Sequence, residues 1–168
     1  TWESSLSANT KIYGLIPLTI GRLNAIRHVI TPGLSFSFRP DFSDPNFGGS
    51  QYYQYYPELD ITIDIFRGSF VGSTSKTEKK SYRLSVNNVF QAKIRQADGG
   101  YDKFNFLTWN MAVNYNTVLD SFKMSDLSSS IRVKNLSGGD LFIIGMSHSF
   151  YKLNDSGVLV DQHINPWQ

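Results

Sequence analysis

The chain has 168 residues, a formal net charge of +2, 40% hydrophobic, 18% charged and 14% aromatic residues, and no cysteine. That length is one ordinary domain or a piece of something larger. So many rings exclude disorder, so little net charge gives no electrostatic case for nucleic acid, and the missing cysteine excludes a disulfide scaffold, a zinc–thiolate centre and thiol catalysis.

The chain opens Thr1-Trp2-Glu3. No basic stretch leads into an apolar one, so no signal peptide is read. The longest apolar run is Leu141-Phe142-Ile143-Ile144, far short of the ~20 residues of a membrane helix. Two expectations stand: a soluble domain, or an internal part of a longer exported protein.

Period-two alternation, the signature of strands with unlike faces, runs along the chain. In 2–12, Trp2, Leu6, Ala8 and Ile12 alternate with Glu3, Ser5, Ser7, Asn9 and Lys11. Segment 26–38 sets Ile26, Ile30, Leu34, Phe36 and Phe38 on one side. Its Pro32 cannot donate to a ladder, which predicts an edge, a bulge or a weak seam. A long link from about Arg39 to Lys80 follows, with Pro40, Pro45, Gly48-Gly49 and a tyrosine-rich run from Gln51 to Tyr56. Within it Leu59 to Ile65 alternates, as an extra strand or hairpin arm. Strands are predicted at 82–95, 107–116, 127–134 and 142–150. Asp98-Gly99-Gly100 and Ser137-Gly138-Gly139-Asp140 read as tight turns between them. No helical pattern of useful length occurs.

About six strands, mostly about 10–14 residues long, exceed the globular norm of ~5–6 and match the ~9–11 needed to cross a bilayer at a tilt. Short turns alternating with long loops are the habit of outer-membrane barrels, the turns periplasmic and the loops extracellular. The predicted fold is therefore all-β: an antiparallel up-and-down meander of about six to eight strands within a large transmembrane β-barrel, residues 1–168 being a single segment with one extracellular loop at about 39–80. Single-chain bacterial barrels start at about eight strands, so further strands are expected before Thr1 and after Gln168, and the segment is not expected to fold alone. On this reading Arg83, Asn87, Gln91, Lys93, Arg95, Asn110, Asn114, Arg132 and Lys134 face the lumen. Tyr82, Leu84, Val86, Phe90, Trp109, Met111, Val113, Ile131, Val133, Phe142, Ile144 and Phe150 face lipid.

The stretch Leu23-Asn24-Ala25-Ile26-Arg27-His28-Val29-Ile30-Thr31-Pro32-Gly33-Leu34-Ser35-Phe36-Ser37-Phe38-Arg39-Pro40-Asp41-Phe42 resembles the barrel region of the LptD family, outer-membrane lipopolysaccharide-assembly proteins, in the variant typical of Bacteroidota and their relatives. Leu84 to Lys93, Leu127 to Arg132 and Met146 to Phe150 fit the same family. The resemblance spans nearly the whole chain. It departs from some members in lacking disulfide cysteines, and the family's periplasmic jelly roll is absent. The resemblance implies a non-enzymatic role in the outer membrane of a Gram-negative bacterium: lipopolysaccharide is passed through the barrel lumen and released into the outer leaflet. The implied partners are lipopolysaccharide, the remaining strands and periplasmic domain of the parent protein, a lumen plug lipoprotein and outer-membrane lipids, with no cofactor and no nucleic acid.

Two alternatives stand beside it: another outer-membrane porin or transporter barrel, and a soluble β-sandwich binding carbohydrate, in which the large rings of two sheets would face each other. His28, His148 and His163 are dispersed and lack the clustering of a metal site. Asp41 with Asp44, and Asp60 with Asp64, lack calcium-loop spacing and read as solvated loop charge. Tyrosines 52 to 56 read as loop packing, with sugar stacking as the functional alternative. Asn135-Leu136-Ser137 and Asn154-Asp155-Ser156 match the glycosylation triplet and read as chance. The cationic strand residues Arg83, Lys93, Arg95, Arg132 and Lys134 either solvate a wet interior or face phosphate. No nucleophile or acid–base constellation occurs, so no enzyme is expected.

Overall fold

The structure is a computed structural model describing residues 1–70, 72–154 and 156–163. Its body is one antiparallel sheet of seven strands: β1 (Ser4–Asn9), β2 (Ile12–Ile20), β3 (Leu23–Arg39), β6 (Lys79–Arg95), β7 (Tyr101–Asn116), β8 (Leu127–Lys134) and β9 (Asp140–His148). Two small hairpins lie outside it, β4 (Tyr53–Tyr56) with β5 (Ile61–Asp64), and β10 (Tyr151–Leu153) with β11 (Leu159–His163). Among the described residues helix is confined to a 3-10 turn, Pro45–Phe47, and the single turn α1, Gly49–Tyr52. The sheet is a meander that stays open: its order runs from β1 and β2, both on one side of β3, through β6, β7 and β8 to β9.

β1 and β2 are two halves of one line of chain. Ser4 pairs Phe38, Asn9 pairs Gly33, Ile12 pairs Ile30 and Pro17 pairs Ala25, an unbroken register against β3. The interruption at Thr10-Lys11 has a chemical cause. Thr10 donates its N–H to the carbonyl of Pro32 at 3.3 Å, and the return bond from position 32 cannot form because proline has no N–H. Pro32 is thus neither on an edge nor at a bulge. It sits inside the sheet, opposite Val86 on its other flank, and thins the seam between β3 and the β1–β2 line.

The other expected strands hold with corrected bounds. β3 and β6 each reach 17 residues. β7 begins at Tyr101, six residues earlier than the alternation predicts, because a bulge after its Phe90–Leu107 pair shifts Gln91 onto Asn105. One extra residue inverts the parity upstream. β9 ends at His148, so Phe150 lies beyond it, in the bend before β10. The long connection spans 40–78 and contains β4 and β5, the second on the alternating run. A second long connection, 117–126, was not anticipated.

The sheet's two ends differ. At one, the chain reverses tightly at Gly21-Arg22, between Gln96 and Gly100, and between Asn135 and Gly139. The last two share a plan. The Gly99 N–H reaches the Gln96 carbonyl at 3.2 Å and the Gly138 N–H reaches that of Asn135 at 3.0 Å. Gly99 and Gly138 take φ of 88° and 84°, the left-handed state that closes three-residue hairpin loops. Asn135 accepts the Gly139 N–H at 2.9 Å, and Asn154 likewise accepts from Ser156 and Val158, so the asparagines of both glycosylation-like triplets serve turns.

At the other end the 40–78 connection builds a small core of its own. Phe42 and Pro40 are fully buried, and Tyr53 nearly so. Trp2 reaches over from the chain start to meet the rings of Phe38, Phe42 and Phe47. The Phe42 N–H bonds the Ser75 carbonyl at 3.3 Å, tying the two stems of the connection together. The four aspartates of this connection serve local structure. Asp41 accepts from the Ser43 N–H and hydroxyl, Asp44 caps Asn46, Asp60 takes the Tyr55 hydroxyl at 2.9 Å, and Asp64 accepts from Phe66 at 2.9 Å and Thr74 at 2.5 Å. Tyr53 donates to the Thr74 carbonyl at 2.6 Å. Burial raises the Tyr53 phenol above its ordinary range, with the charges of Asp64 and Asp41 adding to the effect. The hairpin β10–β11 ties down the 117–126 connection similarly: Tyr151 accepts the Met124 N–H at 2.8 Å and packs its ring 5.0 Å from Phe122.

Candidate functional site

Cross-strand partners project to the same side of a sheet, so the register sorts every side chain. One face carries Leu6, Ile12, Ile16, Ile26, Ile30, Leu34, Phe36, Phe38, Tyr82, Leu84, Val86, Phe90, Leu107, Trp109, Met111, Val113, Ile131, Val133, Phe142, Ile144 and Met146. Every residue expected to face lipid is among them except Phe150, which lies off the wall. The opposite face carries all nine residues expected to face a lumen: Arg83, Asn87, Gln91, Lys93, Arg95, Asn110, Asn114, Arg132 and Lys134. Trp109, Val86 and Ile144 share one side of one sheet, not opposed layers, and that removes the sandwich alternative.

No layer of the described residues covers the apolar face. Leu6 is 74% exposed, Leu34 53% and Ile144 46%. Burying such a surface is worth about 25 cal/mol per Å2, so water is the wrong solvent for it. A single polar line crosses this face near the strand centres, and it is internally satisfied. The His28 ring stacks on Phe90 at 4.0 Å and its Nε2 lies 3.1 Å from the Asn88 Oδ1. Asn88 donates to the Trp109 carbonyl at 3.3 Å, and Trp109 Nε1 donates to Ser129 Oγ at 2.8 Å. His148 closes β9 and His163 closes β11. Among the described residues no group of three His, Cys, Asp or Glu is placed to hold a metal.

The polar face is the candidate site. Amide and guanidinium groups pair across its strands: Arg83 donates to Asn114 Oδ1 at 3.1 Å, Asn87 to Asn110, and Gln91 to Asn105 at 2.7 Å. Small side chains lie between these pairs. Ser85, Ala112, Ser128 and Ser130, with Arg83, Asn87 and Asn110, line a shallow hollow of about 330 Å3. Arg132 reaches Asp140 at 3.5 Å. Such a surface offers many donors and acceptors and little grip, as suits a wet passage.

Arg27, Lys103 and Asn105 also stand on this face and escaped the sequence reading. Lys103 lies upstream of the β7 bulge, where parity counted from Leu107 assigns it to the wrong side. Arg27 sits on β3, where the interrupting proline blurs the alternation; its odd position was the available signal.

A family model described as LptD protein matches residues 1–151. The chain belongs to the LptD family. No curated protein and no solved structure matches it. LptD proteins are non-enzymatic transport proteins of the Gram-negative outer membrane with a role in lipopolysaccharide assembly. That membership agrees with an open meander of long strands whose two faces differ as oil from water.

Proposed function

We propose that the chain forms one continuous segment of an LptD barrel, its seven-stranded sheet being part of the wall, with the polar face lining the lumen along which lipopolysaccharide passes and the apolar face against lipid. The observation that carries this reading is the segregation of side chains across the central strands β3, β6, β7 and β8, with amide, hydroxyl and cationic groups mainly on one side and aliphatic and aromatic groups mainly on the other; the outer strands β2 and β9 bring aliphatic groups such as Leu15 and Ile143 to the polar side. Ring placement supports it. Phe36, Tyr82 and Tyr115 lie toward the loop end of the apolar face and Phe104 toward the turn end, as interfacial girdles do. From Phe104 to Tyr115 is roughly 33 Å at ~3.3 Å per residue after the bulge, or about 25 Å of height at a ~40° tilt, the height of an outer-membrane apolar band.

In hydrocarbon every backbone group needs a partner, so the free edges of β9 and of the β1–β2 line are read as meeting the remaining strands of the parent protein. The tight turns then point to the periplasm, where a periplasmic domain delivers the glycolipid, and the 40–78 and 117–126 connections to the cell exterior; a plug lipoprotein would meet the polar face. Single cysteines answer the orientation question in a cysteine-free background. Bimane attached at Leu84, Val113 and Ile144 is expected to be quenched by spin-labelled acyl chains and spared by an aqueous quencher, with the reverse at Asn87, Asn110 and Ser128. Equal lipid quenching at both sets would refute the proposal.

A further inference from the structure

We propose that the turn end of the polar face carries an anion subsite, formed by Arg27, Lys93 and Lys103, that takes the phosphate of an amphiphilic ligand; the inference rests on that face lining the lumen. The register places Lys93 of β6 directly opposite Lys103 of β7. Like charges in direct cross-strand apposition destabilise a sheet, so the pair costs stability unless something negative joins it. Arg27 stands on the same face of the neighbouring strand β3, opposite Gln91 and two residues along from the Ala25–Lys93 pair.

Among the described residues no carboxylate pairs with this trio: the ion pairs are Lys79 with Glu3 and Arg132 with Asp140. Asp98 is taken up by the Gly100 N–H at 2.8 Å, and Asp102 pairs with Ile94, projects from the opposite face and receives the Gln96 amide. Aromatic rings hold two of the cations instead. The Arg27 guanidinium lies 4.9 Å from the Tyr13 ring centroid, and Lys93 Nζ lies 3.9 Å from that of Tyr101. A ring face fixes a cation's position through its quadrupole and leaves the net charge in place. Three neighbouring cations, two of them held in place by rings, are what a phosphate recognises.

The surroundings narrow the ligand further. Arg27, Lys93 and Lys103 border a hollow of about 440 Å3 whose wall also includes Leu15, Pro17 and Ala25. Leu15 is 69% exposed although it stands on the polar face. Aliphatic wall beside cations suits a phosphate bonded close to hydrocarbon, such as a phosphorylated glycolipid head, better than a free anion.

The test uses the full-length protein in detergent micelles, with a photo-crosslinking residue at Thr19 in the hollow or at Asn110 near mid-height. The probes are a bis-phosphorylated glucosamine lipid and the same lipid after phosphatase treatment. The phosphorylated probe is expected to crosslink at position 19 at least fivefold more strongly, and Lys93→Gln with Lys103→Gln to remove that advantage while crosslinking at position 110 persists. Arg27→Gln, which leaves the lysine pair intact, is expected to give a smaller loss in the same direction. Competition by millimolar inorganic pyrophosphate would assign recognition to phosphate alone; failure to compete would assign it to phosphate with its apolar neighbour. Equal crosslinking of the two probes at position 19, or a lysine variant that changes nothing, overturns the subsite while signal at position 110 keeps the lumen reading. Loss of crosslinking at both positions in the unsubstituted protein would instead refute the lumen reading itself.

Discussion

Replacing Phe42 by alanine should open the outer connection and leave the wall standing. Phe42 has no exposed surface and packs its ring 5.2 Å from Tyr52 and 6.3 Å from Trp2, with its N–H fixed on Ser75. Truncating a buried Phe to Ala costs about 3–5 kcal/mol. The core of the 40–78 connection is small and can partly collapse, so the lower figure, about 3 kcal/mol, applies. At ~1.4 kcal/mol per decade the open population of the connection rises about 100-fold. Proteolysis that tracks this population reads it directly: cleavage between residues 43 and 73 is expected to accelerate by roughly that factor, with Phe42→Leu recovering most of the protection. The heat-dependent electrophoretic shift of the folded barrel should be unchanged. Cleavage within threefold of the parent rate would show that Phe42 does not hold the connection closed. Loss of the folded barrel band would show that loop and wall are one cooperative unit, against the separation argued here.

Two further outcomes are expected. Burial pushes the Asp64 carboxyl upward, but the N–H groups of Thr74 and Phe66 and the charge of Lys76 outweigh it and hold the group below its ordinary value of 3.8. A depressed carboxylate stabilises the fold above its unfolded pKa and ceases to do so as pH falls through the folded one. Hydrogen-exchange protection of the Thr74 amide, corrected for intrinsic rates, should therefore fall below about pH 3.8, and Asp64→Asn should flatten the dependence; a protected amide at every pH would contradict the assignment. On the apolar face, Trp109→Phe and Ser129→Ala each remove one end of a 2.8 Å bond. A double-mutant cycle in lipid vesicles should give a coupling of about 0.6–1.7 kcal/mol, and a coupling indistinguishable from zero would mean that the bond carries no stability.

Alternation made β8 legible to the residue, because its two faces differ in polarity and the one register shift in its ladder, at the last pair Lys134–Asp140, puts the extra residue in β9. The same signal failed in β2, where Tyr13, Leu15 and Pro17 on one face are as apolar as Ile12 and Ile16 on the other. It failed upstream in β7 because the bulge inverts parity, and that inversion hid Lys103. Phe150 falls outside the sheet because the backbone turns away after His148, although its parity continues that of β9. The core of the 40–78 connection could not be read from the sequence, since Pro40, Phe42, Tyr53 and Thr74 meet only in three dimensions. Pairwise amide contacts on the polar face were likewise hidden until the register placed Asn87 against Asn110 and Gln91 against Asn105.

The bond between Phe42 and Ser75 also bears on how the wall is assembled. Strands β3 and β6 are separated by the longest connection in the sheet, and an unstructured loop of that length would cost about 2 kcal/mol more closure entropy than a four-residue turn. A connection that pinches its own stems together shortens the effective tether, so β6 arrives beside β3 nearly as a hairpin partner. Every step of the meander is then a local zippering event, with low contact order and correspondingly quick pairing. An extension grown one strand at a time leaves each new edge exposed only until its neighbour in sequence docks.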